Sequence, residues 1–121
     1  MSRVVVLSAT TDSPAVARML VREEMSGCDD RSVVVAELIV SELVTNAVVH
    51  AETSIELEFE RTDNTVRAAV TDEGTGRPTV RHPGITDEHG RGLLIVRSLA
   101  DEWGVVERAN GKSVWFTLTC D

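Results

Sequence analysis

Aromatic side chains are scarce in this chain, at 3% of residues with no tyrosine. The core must therefore be filled mainly by Val, Leu, Ile and Ala. Basic residues are also in deficit, Lys+Arg 12 against Asp+Glu 20, a formal net charge of -8. That balance excludes non-specific binding to nucleic acid or to an anionic membrane, both of which need surplus Lys and Arg. It leaves room for a phosphate held in a pocket by backbone amides and a cation. Cysteine is limited to Cys28 and Cys120, far apart in sequence and matching no zinc or redox spacing, and His50, His82 and His89 are scattered. No metal-ligand cluster follows, and free thiols in a reducing cytosol are expected. The apolar run Val4 to Leu7 is too short for a signal peptide, and no segment is expected to reach the length of a membrane span. The expected location is the cytoplasm.

What is present suits one globular domain over residues 1–121, with hydrophobic residues at 42%. Val4 to Leu7 reads as a short strand. Ser13-Pro14 offers an N-cap hydroxyl and a proline for the first helical position, and Ser26-Gly27 a stop. Asp29 or Asp30 caps a longer helix through His50 whose apolar residues nearly encircle it, predicting burial against a sheet. From Ser54 the period changes to two: Ile55, Leu57 and Phe59 alternate with Glu56, Glu58 and Glu60, the last three forming a solvated face. Val66, Ala68 and Val70 continue the alternation after a turn at Asp63-Asn64, so a hairpin is expected. Residues 74–90 read as a loop, Leu93 to Ala100 as a helix. Val105-Val106 and Val114 to Leu118 form a closing hairpin turned at Asn110-Gly111. Half-wet strands predict an α+β two-layer sandwich, a mixed, mostly antiparallel sheet with helices packed on one face. Trp103 and Trp115 read as packing residues.

Three polar features stand out against this frame. Glu42, Asn46 and His50 recur every four residues, on one face of the long helix. Acids and amides are rarely buried without partners, so this stripe either lines a cavity with water, metal or ligand, or is the solvent edge of an amphipathic helix. Asp72-Glu73-Gly74-Thr75-Gly76 falls at a strand end, where Asp72 can accept from an amino group and the glycines permit close backbone approach; an ordinary acidic turn is the alternative. Gly90-Arg91-Gly92 precedes the expected helix at Leu93, where amides and the positive helix end suit a phosphate. Gly111-Lys112-Ser113 imitates the end of a P-loop, but Val106 occupies the position where that motif needs its first glycine. Neither glycine cluster completes a dinucleotide fingerprint, since Thr79 and Ile95 fill the last positions.

In that order, the features resemble the GHKL (Bergerat-fold) ATPases, a family that includes gyrase, MutL, the histidine kinases and the bacterial anti-sigma factor kinases. The resemblance covers nearly the whole chain. The segment Glu42-Leu43-Val44-Thr45-Asn46-Ala47-Val48-Val49-His50 is most similar to the anti-sigma kinase branch. The resemblance implies ATP and Mg²⁺ as cofactors, with Asn46 holding Mg²⁺ and Glu42 as general base. It implies that Asp72 binds the adenine amino group, with Gly74 and Gly76 allowing close packing. Gly90, Arg91, Gly92 and Leu93 would wrap the phosphates, residues 77–89 would form a lid, and Ser113 would place a hydroxyl near adenine. His50 matches a family position, or is a polar cap at the helix end. The stretch Arg81 to His89 is short, with Asp87-Glu88 adding negative charge and no lysine in the lid, which leaves Arg81, Arg91, His82 and His89 as cationic candidates for the γ-phosphate. The implied activity is transfer of the ATP γ-phosphate to a serine of a STAS-type anti-sigma antagonist, with a sigma factor as second partner and a homodimer as expected assembly. The alternative is a nucleotide-sensing interaction module of the same fold without catalysis.

Overall fold

The computed structural model describes residues 2–50, 54–72, 87–108 and 111–120. Strand β1 (Ser2–Leu7) is followed by helices α1 (Ser13–Glu24) and α2 (Asp30–His50), then β2 (Ile55–Arg61), β3 (Thr65–Asp72), α3 (Asp87–Leu99), β4 (Glu102–Arg108) and β5 (Gly111–Thr119). The strands form one sheet in the order β1-β2-β3-β5-β4, and every pairing among the described residues is antiparallel. The architecture is the α+β fold expected. The chain leaves the sheet at Asp72, forms α3 and the edge strand β4, and returns as β5 beside β3.

The alternation predicted for β2 and β3 sets the faces. Ile55, Leu57 and Phe59 are buried while Glu56, Glu58 and Glu60 are exposed. Register carries the buried face across to Val66, Ala68 and Val70 of β3 and Val114, Phe116 and Leu118 of β5. Against it pack Ala36, Ile39, Val40, Leu43, Val44 and Ala47 of α2, with Ala17, Leu20 and Val21 of α1. Phe116 is the largest side chain fully buried there, and removal of such a ring from water contributes roughly 1.5–3 kcal/mol. Arg22 Nε donates to Glu37 Oε2 at 2.7 Å, and Arg18 Nη1 to Ser41 Oγ at 2.9 Å, tying α1 along α2.

Several local expectations are revised. Ser13 is not the N-cap: it is the first helical residue, after Asp12, and its buried hydroxyl donates back to the Ser8 carbonyl while accepting from Thr10 N–H at 3.1 Å. Asp29 is the cap of α2, its Oδ2 accepting from Ser32 N–H at 3.1 Å. That helix is not buried all round. Val34, Leu38 and Val49 are exposed, because α2 forms part of the outer layer and only its inner side and flanks meet neighbours. Contrary to the expectation from sequence, Asp30–Val49 is long and apolar enough to cross a membrane by length and composition, with mean hydropathy 1.8. In this fold it is the core helix, its inner face spent on the sheet. The closing hairpin pairs Arg108 with Gly111, so its connection comprises residues 109–110, and Asn110 lies outside the described residues.

The largest revision concerns the cysteines. Cys28 and Cys120 are joined in a disulfide, with Cα atoms 5.0 Å apart across a sequence separation of 92. Free thiols are therefore not what the fold provides. The α1–α2 turn and the end of β5 meet at one pole of the sandwich, a proximity that no local spacing encodes.

On the open face of the sheet, Trp115 lies over Gly104, and the Arg67 guanidinium stands 4.8 Å from the indole centroid. A Cβ at Gly104 would meet Trp115 Nε1 at 2.6 Å and two ring carbons within 2.9 Å. The indole is rigid and stacked, so it cannot yield cheaply. Gly104→Ala is expected to destabilise the fold by about 1–3 kcal/mol, read from urea unfolding. An unchanged midpoint would show that the indole has room to move.

Candidate functional site

One end of the long helix is anchored to the sheet. At its first turn, Ser32 Oγ donates to the Thr119 carbonyl at 2.9 Å, beside the disulfide. From Ser32, α2 reaches Asn46 after ~21 Å at ~1.5 Å per residue. From Thr119, β5 reaches Ser113 after ~20 Å at ~3.3 Å per residue. The two path lengths match, and α2 packs on both β3 and β5, the strands whose ends carry Asp72 and Ser113. Glu42 and Asn46 are half-buried rather than fully solvated. His50 closes the helix.

At that sheet end, Thr71 pairs with Ser113 and Asp72 with Lys112. Side chains alternate, and Val70 and Val114 point into the helix layer. Asp72 and Lys112 therefore share the helix side, while Thr71 and Ser113 face the other way. Ser113 is buried, its Oγ accepting from Thr71 Oγ1 at 2.9 Å. The hydroxyl assigned to adenine is thus at the right end of the sheet but on the face opposite Asp72. What stands directly across from Asp72 is Lys112, the single lysine in the chain. Local sequence does not show this neighbour; only the strand register brings the acid and the base opposite each other at the strand ends.

The glycine clusters fare differently. Gly74 and Gly76 lie outside the described residues, as does most of the expected lid, residues 77–86. Gly90, Arg91 and Gly92 do not precede the helix: α3 begins at Asp87, and all three are within it. The helix therefore starts about two turns earlier than the glycines suggested. Leu93 follows in the same helix, half-buried, packed against the core. With Leu94, Arg97 and Trp103 it lines an open apolar hollow of about 460 Å³ between α3 and β4. Helix α3 packs on α2, so the glycine-bearing helix adjoins the one carrying Glu42 and Asn46.

Asn46, Glu42 and Asp72 carry side-chain oxygens, and among the described residues no three His, Cys, Asp or Glu side chains group as a metal site. Helix α2 packs on both β3, which ends at Asp72, and α3, which carries the second glycine cluster. Such a fold with these residues, and without a P-loop, points to the histidine kinase-like class.

Comparison with known proteins agrees. Residues 7–118 match the family described as the histidine kinase-like ATPase domain, and the chain belongs to it. Among solved structures, it superposes on the RsbU and RsbW domains of Rv1364c from Mycobacterium tuberculosis with a TM-score of 0.78 at 24% identity. That alignment covers 99% of this chain and 32% of the other, so this chain spans about a third of that relative. The catalytic domain of the histidine kinase ThkA superposes with a TM-score of 0.58 at 17% identity, covering 98% of this chain and 97% of that one. At these identities the likeness establishes the fold. A search of curated proteins finds no match.

Proposed function

We propose that this chain is an ATP-dependent serine/threonine protein kinase of the anti-sigma factor type, phosphorylating a serine of a STAS-type antagonist and thereby controlling a sigma factor. What supports this reading is the family match over residues 7–118, together with Glu42 and Asn46 half-buried on one face of a helix that packs on β3, whose last residue is Asp72. The likeness to a chain that carries RsbU and RsbW domains supports a partner-switching role. A cytoplasmic location goes with that role, as does assembly into a homodimer.

In this reading Asp72 accepts a hydrogen bond from the adenine amino group, and Lys112 beside it sets the electrostatics of that corner. The Asn46 side-chain oxygen would hold Mg²⁺, which neutralises phosphate charge when bound. Gly74, Gly76 and the segment Gly90, Arg91, Gly92, Leu93 keep the roles of nucleotide contact and phosphate enclosure. Glu42 takes the proton of the attacking serine hydroxyl as its oxygen bonds to the γ-phosphorus and the bond to the ADP oxygen breaks. Ser113 acts at one remove, its bond with Thr71 fixing the two strand ends.

Titration with ATP and ADP by calorimetry, with and without Mg²⁺, tests the nucleotide site. Asp72→Asn is expected to weaken binding by about tenfold or more, since a hydrogen bond to a charged group is worth ~1.5–3 kcal/mol. Asn46→Ala should remove the gain that Mg²⁺ confers. A folded wild type that binds neither nucleotide would sink the reading and leave the fold as a protein-contact module.

A further inference from the structure

The pole opposite the nucleotide corner has chemistry of its own. The α1–α2 turn passes through Gly27 at φ +93°, a backbone setting that favours glycine, and delivers Cys28 beside Cys120. Each cysteine is held by its backbone independently of the disulfide: Cys28 N–H donates to the Met25 carbonyl at 2.9 Å, and Cys120 N–H to the Asn64 carbonyl at 2.8 Å. Neither backbone contact requires the disulfide, so the expectation is that the two cysteines stay close when the bond is opened. Their surroundings differ. Cys28 is half-buried, whereas Cys120 is 6% exposed. Arg61, at the end of β2, points Nη2 at Cys120 Sγ from 3.4 Å, while its Nη1 donates to the carbonyls of Glu24 at 3.0 Å and Ser26 at 2.8 Å.

We propose that Cys28–Cys120 is a reversible thiol-exchange site, with Cys28 the sulfur modified by a low-molecular-weight thiol and Cys120 the leaving thiolate, stabilised by Arg61. The thiolate of the small thiol attacks Cys28 Sγ along the accessible side. A new sulfur–sulfur bond forms there as the Cys28–Cys120 bond breaks, and its electron pair remains on Cys120 as a thiolate facing the guanidinium. Low-pKa thiols leave faster, so the cation beside Cys120 directs the attack to Cys28. Reversal needs nothing further: the Cys120 thiolate attacks Cys28 Sγ and expels the small thiol. Complete reduction takes a second small thiol, which attacks its own sulfur in the mixed bond, releasing the small-molecule disulfide and the Cys28 thiolate. Wherever small thiols and their disulfides are both present, such a pair reports their balance. None of this depends on the kinase reading, since the pair lies at the other pole and its test involves no nucleotide.

The test uses the whole chain, purified without reductant. Oxidised protein is exposed to excess reduced glutathione, quenched with acid, alkylated with N-ethylmaleimide and peptide-mapped. The expected intermediate carries glutathione on Cys28 and maleimide on Cys120. Glutathione on Cys120, or on both cysteines equally, overturns the proposal, as does failure of oxidised glutathione to re-form the bond. A second measurement follows thiolate absorbance against pH in Cys28→Ser. The Cys120 midpoint should lie below the ordinary value of about 8.5 and rise when Arg61→Gln is added. A midpoint at or above that value, or one indifferent to Arg61→Gln, removes the assigned role of the guanidinium.

Discussion

Replacing Cys28 and Cys120 together by serine is expected to lower the unfolding free energy by about 2–5 kcal/mol, with a fall in Tm of roughly 10–20 °C. The size of the effect follows from the chain it closes. A cross-link spanning 92 residues removes much of the conformational freedom of the unfolded state, and the loop-closure expression gives ~4.5 kcal/mol at that length. Whole domains of this size are stable by only about 5–15 kcal/mol, so the bond accounts for a large share of the margin. Serine is the appropriate replacement at Cys120, because its hydroxyl can still accept from Arg61 and leaves little cavity. The loss then reports the cross-link and not a new void. Parallel urea titrations of wild type, the double variant and wild type with dithiothreitol check this. The last two should coincide. A difference below about 1 kcal/mol between oxidised wild type and the double variant would mean that the unfolded chain is already constrained at this pole.

How this pole escaped the sequence reading is instructive beside what that reading caught. Alternation in Ile55 to Glu60 and Val66 to Val70 is local and strong, so hairpin, register parity and buried face were all legible. The start of α2 was equally plain, since an aspartate three residues before Ser32 N–H is a short-range signal. Helix α3 was misplaced because Gly90 and Gly92 weaken local helix propensity, and packing on α2 outweighs that penalty. The faces of the last strand needed tertiary information. A serine hydroxyl two residues from Gly111 looked right for adenine, yet the pairing of Asp72 with Lys112 turns Ser113 to the other side. The exposure of Val34 and Leu38 has the same origin: an apolar residue's neighbours depend on which side of the helix the sheet occupies. The acid–amide spacing of Glu42 and Asn46 was readable because one helix carries both, whereas the disulfide joins elements whose only link is the completed sheet.

Glu42→Gln should leave nucleotide binding almost intact while abolishing phosphoryl transfer. Glutamine has nearly the same shape and helix propensity as glutamate, so the variant is expected to fold, which urea unfolding beside wild type checks. A general base contributes typically 10²–10⁴-fold, and without a carboxylate at this position the serine hydroxyl keeps its proton at the moment of attack. Transfer from labelled ATP to a STAS-type antagonist, under single turnover, should therefore fall by about 10²–10⁴ with the ATP Kd altered less than about threefold; an interaction needed only in the transition state has that signature. The pair of observables separates the two functional readings. If wild type binds Mg-ATP tightly but transfers to no serine-bearing antagonist and hydrolyses no ATP, the chain senses nucleotide without catalysis, and Glu42→Gln has nothing to abolish. If wild type transfers and Glu42→Gln transfers equally well, the base lies elsewhere, and the remaining carboxylates around the corner, Asp72 first, become the ones to replace.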